Sequence, residues 1–412
     1  MKLHRLVPTV LLLLAAGGCG LHTVPTAAPG VEVLLHHMPE LVEGKRAGLI
    51  TNHTAVDRWG QSAIDLLHHS PRVELVALFA PEHGLRGDIE GGYAIPDGRD
   101  SRTGLPILSL YGETRRPTSE MLAGIEVILF DMQDVGARPY TYVWTMVMAM
   151  EEAAAHGIPF VVLDRPNPIA RTAEGPLMRM EVRDRGPAIT GYYPVPLRHG
   201  LTPGELARYV NAEFGIGAEL HVAPVAGWAG DEWFDETGLP WVSPSPNIRS
   251  LDAAIHYAGL VMLEAVQVSV GRGTEAPFSY VGAPWLDRDE LLRRLERDHD
   301  LPGVAITPAT LVPEGEGWVP YRGHTVHAVR LDITDREAYR PVLTALTLLW
   351  EMQRMHPEEL RMGTMLQMLG SEWAPAAVRE GVHPAEITRR WEAELEAWEK
   401  TRDRYRLYPI TR

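Results

Sequence analysis

Residues 73–84 read VELVALFAPEHG, and they join an apolar run, 73–80, directly to a polar cluster that contains Glu82 and His83. Short β-rich apolar runs with helical segments between them predict parallel strands buried on both faces. In such sheets ligands bind outside the carboxyl ends of the strands, so the polar clusters should gather at one edge. The sequence therefore predicts an α/β fold with a Rossmann-like, doubly wound and mostly parallel sheet. Three more runs end in this way: 47–50 before TNHT (51–54), 126–130 before DMQDVG (131–136) and 159–163 before DRPNP (164–168).

The length of 412 residues predicts two domains, because a single core usually stops growing below that size. Strands and helices alternate over residues 31–185, which we assign to the Rossmann-like catalytic domain. The less regular part, 186–412, predicts a smaller α+β domain that completes a cleft. No GxGxxG turn follows any of the predicted strands, so no dinucleotide cofactor is indicated.

Acidic residues outnumber basic ones by 54 to 39, which gives a formal net charge of −15. A field of this sign repels phosphate backbones, and no basic stripe or nucleic-acid motif is present. Nucleic-acid binding is therefore not expected.

The N-terminus resembles an export signal. Lys2 and Arg5 precede an apolar run, 6–16, and small residues lead to Cys19, the single cysteine of the chain. This pattern predicts a lipoprotein-type signal over 1–19, lipidation of Cys19 and a tether over 20–30. The protein would then meet a membrane only through its lipid, on the periplasmic or cell-surface side. An ordinary secretory signal cut near residues 26–28 is the alternative, and either signal exports the protein.

Glu82 is the first candidate catalytic residue. A carboxyl group on a loop after a buried strand, partly shielded from water, could keep a raised pKa and act as a general acid. The alternative is a glutamate that caps the next helix. We expect His83 to orient or hydrogen-bond rather than to react.

Asp131, Gln133 and Asp134 follow the most hydrophobic strand. Strand alternation points Asp131 and Gln133 in one direction. A second carboxylate near Glu82 is what glycoside hydrolysis requires, either as nucleophile or as base. Asp134 could instead be a turn residue that holds backbone amides.

Further polar and aromatic residues predict the binding pocket. Aromatic faces suit sugar rings and arginine suits a carboxylate. For Asp164 and Arg165 the alternative is a local ion pair. The second half of the chain adds polar groups on loops fixed by glycine and proline, which predicts a cleft between the domains. The binding candidates are Asn52, His53, His83, Gln133, Arg138, Tyr140, Tyr142, Asp164, Arg165, Asn167, Arg198, His199, Asn247, Glu264, Arg272 and Thr274.

Five side chains on these loops are potential metal ligands: His53, His83, Asp131, Asp134 and Asp164. The sequence has no HExxH, no HxH pair and no cysteine partner for them, so no metal is expected. A metal-dependent amide or ester hydrolase remains an alternative function. The GxSxG elbow of serine hydrolases is absent.

The chain resembles the NamZ-type exo-β-N-acetylmuramidases, previously grouped as a domain of unknown function. The matching stretches run in order along the chain: GLITNHTAVD (48–57), LFAPEHGLRGD (78–88), LSLYG (108–112), FDMQDVGARPYTY (130–142), FVVLDRPNPI (160–169), RHGLTPGELA (198–207), PWVSPSPN (240–247), GRGT (271–274) and RYRLYP (404–409).

The resemblance implies an enzyme of cell-wall recycling that acts without a cofactor on peptidoglycan-derived disaccharides or muropeptides. It would release N-acetylmuramic acid from the non-reducing end, with Glu82 as the strongest candidate acid. Glu264 matches a family glutamate. Val270 and Gln267 depart from the family, which commonly has an acidic residue and an asparagine there.

Three catalytic routes stay open at this point. Asp131 or Asp134 could act as nucleophile, as base, or only as support for attack by the substrate's own acetamido group. A lipid-anchored muropeptide-binding protein without turnover is the rival from a different functional class.

Overall fold

The computed structural model describes residues 27–87, 89, 91–183, 190–363 and 365–409. The predicted signal and Cys19 lie outside these residues. From Ala27 onward the segment predicted as a tether belongs to the folded body. Ala28 pairs with Ala226, and the Gly30 amide donates to the Asp164 carbonyl oxygen at 2.9 Å.

Seven strands form the large sheet, in the order β3-β4-β2-β1-β5-β6-β7. Every neighbouring pair is parallel except β3 with β4. Because β1 has β2 on one side and β5 on the other, the sheet is doubly wound, as predicted. The strands are β1 Arg46–Thr51, β2 Glu74–Ala80, β3 Gly98–Arg99, β4 Pro106–Ser109, β5 Val127–Asp131, β6 Phe160–Leu163 and β7 Leu220–Ala223.

Both faces of this sheet are buried, which explains the nearly continuous apolar runs. On β5, Ile128 and Phe130 join one apolar cluster, whereas Val127 and Leu129 join the cluster on the opposite face. Strand alternation requires this division. The larger cluster continues into the second half of the chain, so one core connects the two halves.

Helices cover the sheet and build most of the second half. Helix α5 begins with a capping box, in which Thr202 and Glu205 each accept from the other's backbone N–H. No helix within the described ranges is long and apolar enough to cross a bilayer. The helices are α1 Gly30–His37, α2 Ala63–His69, α3 Tyr142–Ala155, α4 Met180–Arg183, α5 Pro203–Glu213, α6 Leu251–Leu260, α7 Arg288–Asp298, α8 Pro341–Met355, α9 Met365–Leu369, α10 Trp373–Arg379 and α11 Pro384–Arg402.

The second sheet is antiparallel, with the order β8-β10-β9. Its strands are β8 Tyr280–Ala283, β9 Val304–Leu311 and β10 Val326–Ile333. Of these strands, β10 coincides with a stretch of alternating apolar and polar residues, 324–333, which is typical of a half-buried strand. The large sheet takes its last strand, β7, from beyond residue 185, where the predicted domain boundary lies.

Candidate active site

A cleft of about 220 Å³ opens where the two halves meet at the carboxyl edge of the large sheet. The loops after β2 and β4 and the segment before α3 supply one wall, and residues from Ser245 to Phe278 supply the other. Strand order reverses at β1, with β2 on one side and β5 on the other, and α/β proteins bind ligands at the carboxyl edge beside such a reversal. The polar and aromatic lining comprises Glu82, His83, Tyr111, Arg115, Tyr140, Thr141, Ser245, Tyr257, Glu264, Arg272 and Phe278.

Glu82 lines this cleft and is half-buried. One carboxyl oxygen, Oε2, accepts from the Thr141 hydroxyl at 2.6 Å, and Oε1 accepts from the Gly92 amide at 2.8 Å. Thr141 is the N-cap residue of α3, so the carboxylate also lies at the positive end of a helix. Burial, and then the charge and hydrogen bond of Glu82, raise the pKa of Tyr111 above its usual range. Glu82 is thus held in place by groups from three segments.

His83 also lines the cleft, in a left-handed backbone conformation with φ 69°. Its Nδ1–H donates to the Ile89 carbonyl oxygen at 2.6 Å, which leaves Nε2 as an acceptor in the neutral ring. The ring meets Tyr142 edge-on. Such strain persists where surrounding contacts enforce it, often at functional sites.

Aromatic rings form the floor and one wall. Tyr140 contacts Tyr142 at 4.8 Å and Tyr257 at 5.8 Å between ring centroids. The Tyr142 hydroxyl donates to the Pro244 carbonyl oxygen at 2.7 Å, below the cleft. The Tyr140 hydroxyl is buried near the hydroxyls of Tyr142 and Ser245 but makes no hydrogen bond of ordinary geometry.

Glu264 and Arg272 form an ion pair on the wall from the second half. The Arg272 guanidinium also lies over the rings of Phe278 and Trp318, at 5.3 and 5.5 Å from their centroids. Arg115 brings a second guanidinium to the cleft from the first half. Sequence reasoning missed Arg115, Tyr111 and Thr141, although Tyr111 lies in the LSLYG stretch.

Thr274 does not line the cleft, because its hydroxyl donates to the Gly271 carbonyl oxygen at 2.7 Å and fixes the turn around Arg272. Val270 is wholly buried, so its side chain does not reach the cleft. Gln267 ends a short 3₁₀ helix, Val261–Val266, in a left-handed conformation with φ 61°.

Asp131 lies below the cleft rather than in its wall. It is fully buried and accepts from Arg165 Nε at 2.5 Å. Burial raises the pKa of Asp131, and Arg165 opposes that shift. Gln133 Nε2 donates to the carbonyl oxygens of Asp134 and Pro166, at 2.8 and 2.9 Å.

Asp134 is buried as well, and it occupies the turn position that we considered as its alternative. Its Oδ2 accepts from the Gly136 amide at 2.7 Å and lies 3.5 Å from His199 Nε2. His199 Nδ1 accepts from the Leu201 amide at 3.2 Å. The structure therefore brings Asp134 and His199 together, outside the cleft lining.

Asp164 binds the start of α5 and the C-terminal segment of the chain through hydrogen bonds. It accepts from the Thr202 hydroxyl at 2.7 Å, the Gly204 amide at 2.8 Å and the Tyr408 hydroxyl at 2.5 Å. Burial, partly opposed by these donors, raises the pKa of Asp164 to about 7. Its partners are internal, and Arg165 binds Asp131 instead.

Three more predicted residues bind backbone carbonyl groups. Arg138 donates to Pro176, Thr190, Val195 and Met368, and burial lowers its pKa to about 9. Arg198 donates to Ile169. Asn167 donates to Leu201 at 2.9 Å. All three connect loops below or beside the cleft.

Asn52, His53 and Asn247 lie at the same sheet edge but outside the cleft lining. Asn52 Oδ1 accepts from the Thr54 amide and hydroxyl, at 3.0 and 2.6 Å. His53 Nε2–H donates to the Ser243 carbonyl oxygen at 2.8 Å, which ties β1 to the second half. Asn247 is buried. Within the described ranges, no three His, Cys, Asp or Glu side chains are grouped as metal ligands.

Comparisons with known proteins find relatives along most of the chain. Family models for the N-terminal and C-terminal parts of exo-beta-N-acetylmuramidase NamZ match residues 47–252 and 255–408. The chain is 39% identical over 388 residues to the peptidoglycan beta-N-acetylmuramidase NamZ of Bacillus subtilis (strain 168), covering 93% of this chain and 92% of that protein.

Two crystal structures of DUF1343 family proteins from Bacteroides fragilis NCTC 9343 are also similar. One has a TM-score of 0.83 at 34% identity, and the other a TM-score of 0.75 at 27% identity. Each alignment covers 93% of this chain and 99% of the other.

Proposed function

Because this chain belongs to the exo-β-N-acetylmuramidase NamZ family, we propose that it is a glycoside hydrolase of peptidoglycan turnover. It releases N-acetylmuramic acid from the non-reducing ends of peptidoglycan fragments. The position of Glu82 supports this most directly, since its carboxyl group faces a cleft with aromatic walls and two guanidinium groups. Glu82 protonates the glycosidic oxygen as the bond breaks.

The arginines of the cleft account for the preference for a muramoyl sugar. Muramic acid differs from glucosamine by a lactyl carboxylate, and guanidinium groups bind carboxylates in fixed geometry. Among the arginines predicted for the binding pocket, Arg272 lines the cleft, whereas Arg138 and Arg165 are buried in internal contacts. We assign the lactyl carboxylate to Arg272, with Glu264 orienting the guanidinium and Arg115 nearby.

A substrate-assisted route fits the described carboxylates best. Asp131, Asp134 and Asp164 do not line the cleft, and Glu264 is paired with Arg272. The acetamido oxygen of the substrate would bond to the anomeric carbon while the glycosidic bond breaks and Glu82 gives its proton to the leaving oxygen. Water would then open the cyclic intermediate and return a proton to Glu82. Fluorination of the N-acetyl group should lower kcat steeply, and an unchanged kcat would contradict this route.

The function is tested by incubating the protein with the disaccharide N-acetylmuramoyl-N-acetylglucosamine. We expect free N-acetylmuramic acid from the unchanged protein and almost none from Glu82→Gln. Binding of the disaccharide without release would favour the muropeptide-binding rival. Activity abolished by a chelator and restored by a metal ion would favour the metal-dependent hydrolase.

We also propose export and lipid attachment at Cys19. The support is the N-terminal pattern itself, with charged residues, an apolar run and small residues before the single cysteine. In a bacterial host, labelled fatty acid should enter the protein, and Cys19→Ala should remove the label. Labelling that persists in Cys19→Ala would contradict lipidation at this position.

A further inference from the structure

Four large apolar side chains in the described ranges are at least half exposed: Trp59, Tyr93, Val312 and Trp318. Two of them, Tyr93 and Trp318, lie on loops attached to the cleft walls. Tyr93 comes from the first half of the chain and Trp318 from the second. Their exposure is 56% and 50%.

The loop of Tyr93 is fixed to the catalytic carboxyl group. Gly92, directly before Tyr93, donates its amide to Glu82 Oε1. A Cβ at Gly91 would lie 3.2 Å from Glu82 Oε1 and 3.3 Å from His83 Cε1, so the glycine lets the backbone approach closely. Tyr93 is therefore held just beyond the group that protonates the leaving oxygen.

The loop of Trp318 is fixed to the turn that carries Arg272. The Glu314 amide donates to the Gly273 carbonyl oxygen at 2.9 Å. A Cβ at Gly273 would lie 2.3 Å from the Glu314 carbonyl oxygen and 2.7 Å from Val319 Cγ1, so the two segments are in direct contact. The Arg272 guanidinium lies over the Trp318 ring.

We propose that Tyr93 and Trp318 form an aromatic rim that binds the leaving-side sugars of a β-linked amino-sugar chain. This inference rests on the proposed function. An exo-acting pocket encloses the terminal sugar, so the rest of the chain leaves through the mouth, past the acid that protonates the bond. Aromatic side chains offer rigid, flat contact area to the apolar faces of sugar rings at low entropic cost.

This arrangement makes chain length a determinant of activity. A substrate whose leaving group is a chain of sugars contacts the rim, whereas one with a very small leaving group does not. The enzyme should therefore gain kcat/KM from the leaving-side sugars, and that gain should depend on the two aromatic side chains.

The experiment compares a muramoyl-terminated tetrasaccharide with β-N-acetylmuramoyl fluoride, whose leaving group lacks a sugar. Tyr93→Ala and Trp318→Ala should each lower kcat/KM on the tetrasaccharide roughly 10-fold more than on the fluoride, the scale of one aromatic contact. Tyr93→Phe and Trp318→Phe should recover most of the loss. Trp59→Ala is the matched control, because Trp59 is 62% exposed and its amide donates to Asp57 rather than to the loops around Glu82 and Arg272.

Equal losses on both substrates, or no loss on the tetrasaccharide, would overturn the rim. If the unchanged protein hydrolyses neither substrate, the proposed function fails instead. In that case, calorimetric titration with the tetrasaccharide tests whether Tyr93 and Trp318 bind the sugar chain. Weaker binding by the two alanine variants supports it, and unchanged affinity overturns it.

Discussion

The carboxyl edge of the large sheet carries two kinds of carboxyl group, which differ in what surrounds them. Glu82, after β2, is half-buried and faces the cleft. Asp131 at the end of β5 and Asp164 after β6 are fully buried, with Arg165 and Tyr408 among their partners. A carboxyl group that directly follows a parallel strand lies at this edge of the sheet. The neighbouring loops determine whether that carboxyl group faces the cleft or is buried in contacts that stabilise the fold.

The sharpest test of this contrast is Glu82→Gln. The amide keeps the size of the side chain and cannot give up a proton, so kcat should fall by at least ~100-fold, the usual scale of general acid catalysis. Because the side chain is only half-buried, the free energy of unfolding should change by less than about 1 kcal/mol. Disaccharide turnover and urea unfolding measure the two quantities.

Glu113→Gln provides the matched control, since Glu113 is an exposed glutamate two residues after Tyr111 and does not line the cleft. It should leave turnover unchanged. Near-normal turnover by Glu82→Gln would show that Glu82 is not the catalytic acid. The proposed difference between Glu82 and the buried aspartates would then be wrong.

Asp131→Ala should show the opposite behaviour. It leaves the Arg165 guanidinium buried without its carboxylate, and breaking a buried pair costs about 3–5 kcal/mol of unfolding free energy. The turnover of the folded fraction should fall much less than in Glu82→Gln. Urea unfolding, combined with activity per folded molecule, measures both effects.

The double variant Asp131→Ala/Arg165→Met tests the cause of that loss. Removing both charges should cost less than the sum of the two single substitutions, because neither charge is then left unpaired. Purely additive costs would show that the ion pair does not couple the two residues. A loss of turnover equal to that of Glu82→Gln would give Asp131 a catalytic role.

Asp164 predicts a pH dependence of stability. Its pKa of about 7 in the folded protein lies above the ordinary value of 3.8, so the folded state holds the proton more tightly than the unfolded chain. Stability from this group is therefore highest below pH 4 and falls as the pH rises towards 7. Between pH 5 and 8 the loss should be roughly 3 kcal/mol, at about 1.4 kcal/mol per pKa unit.

Asp164→Asn isolates this effect, because asparagine does not titrate. Urea unfolding at several pH values should give a flatter stability profile for the variant than for the unchanged protein. Parallel profiles would mean that Asp164 ionises alike in the folded and unfolded states.

The sequence predicted the large sheet well, because its strands are buried on both faces and their apolar runs are read locally. Run 73–80 became β2 Glu74–Ala80, and run 159–163 became β6 Phe160–Leu163. Strand β9, Val304–Leu311, was missed, because only its last residue is fully buried and the alternating apolar signal is weak.

The division of roles among the carboxyl groups could not be predicted in the same way. Nothing near Asp164 in the sequence indicates Tyr408, which lies 244 positions away and donates to it. Tyr93 and Arg115 stand in polar loops without periodic signal, and only the fold brings them to the cleft or its rim. Sequence patterns locate the sheet edge at which the polar residues gather. Whether a carboxyl group there is catalytic or structural depends on its hydrogen-bond and ion-pair partners, which come from distant parts of the chain.

The smallest effect expected is that of Tyr408→Phe, which removes a single hydroxyl from the structural side of the contrast. That hydroxyl donates to Asp164 Oδ2 and accepts from the Val225 amide at 2.9 Å, so two buried groups lose a partner. The cost should be about 1–3 kcal/mol of unfolding free energy, with turnover unchanged because Tyr408 does not line the cleft. The loss should also shrink in an Asp164→Asn background, since the carboxylate that needs the donor is then absent. Equal losses in both backgrounds would show that Tyr408 stabilises the fold through Val225 and ring packing alone. The hydrogen bond from the C-terminal segment to Asp164 would then contribute nothing to stability.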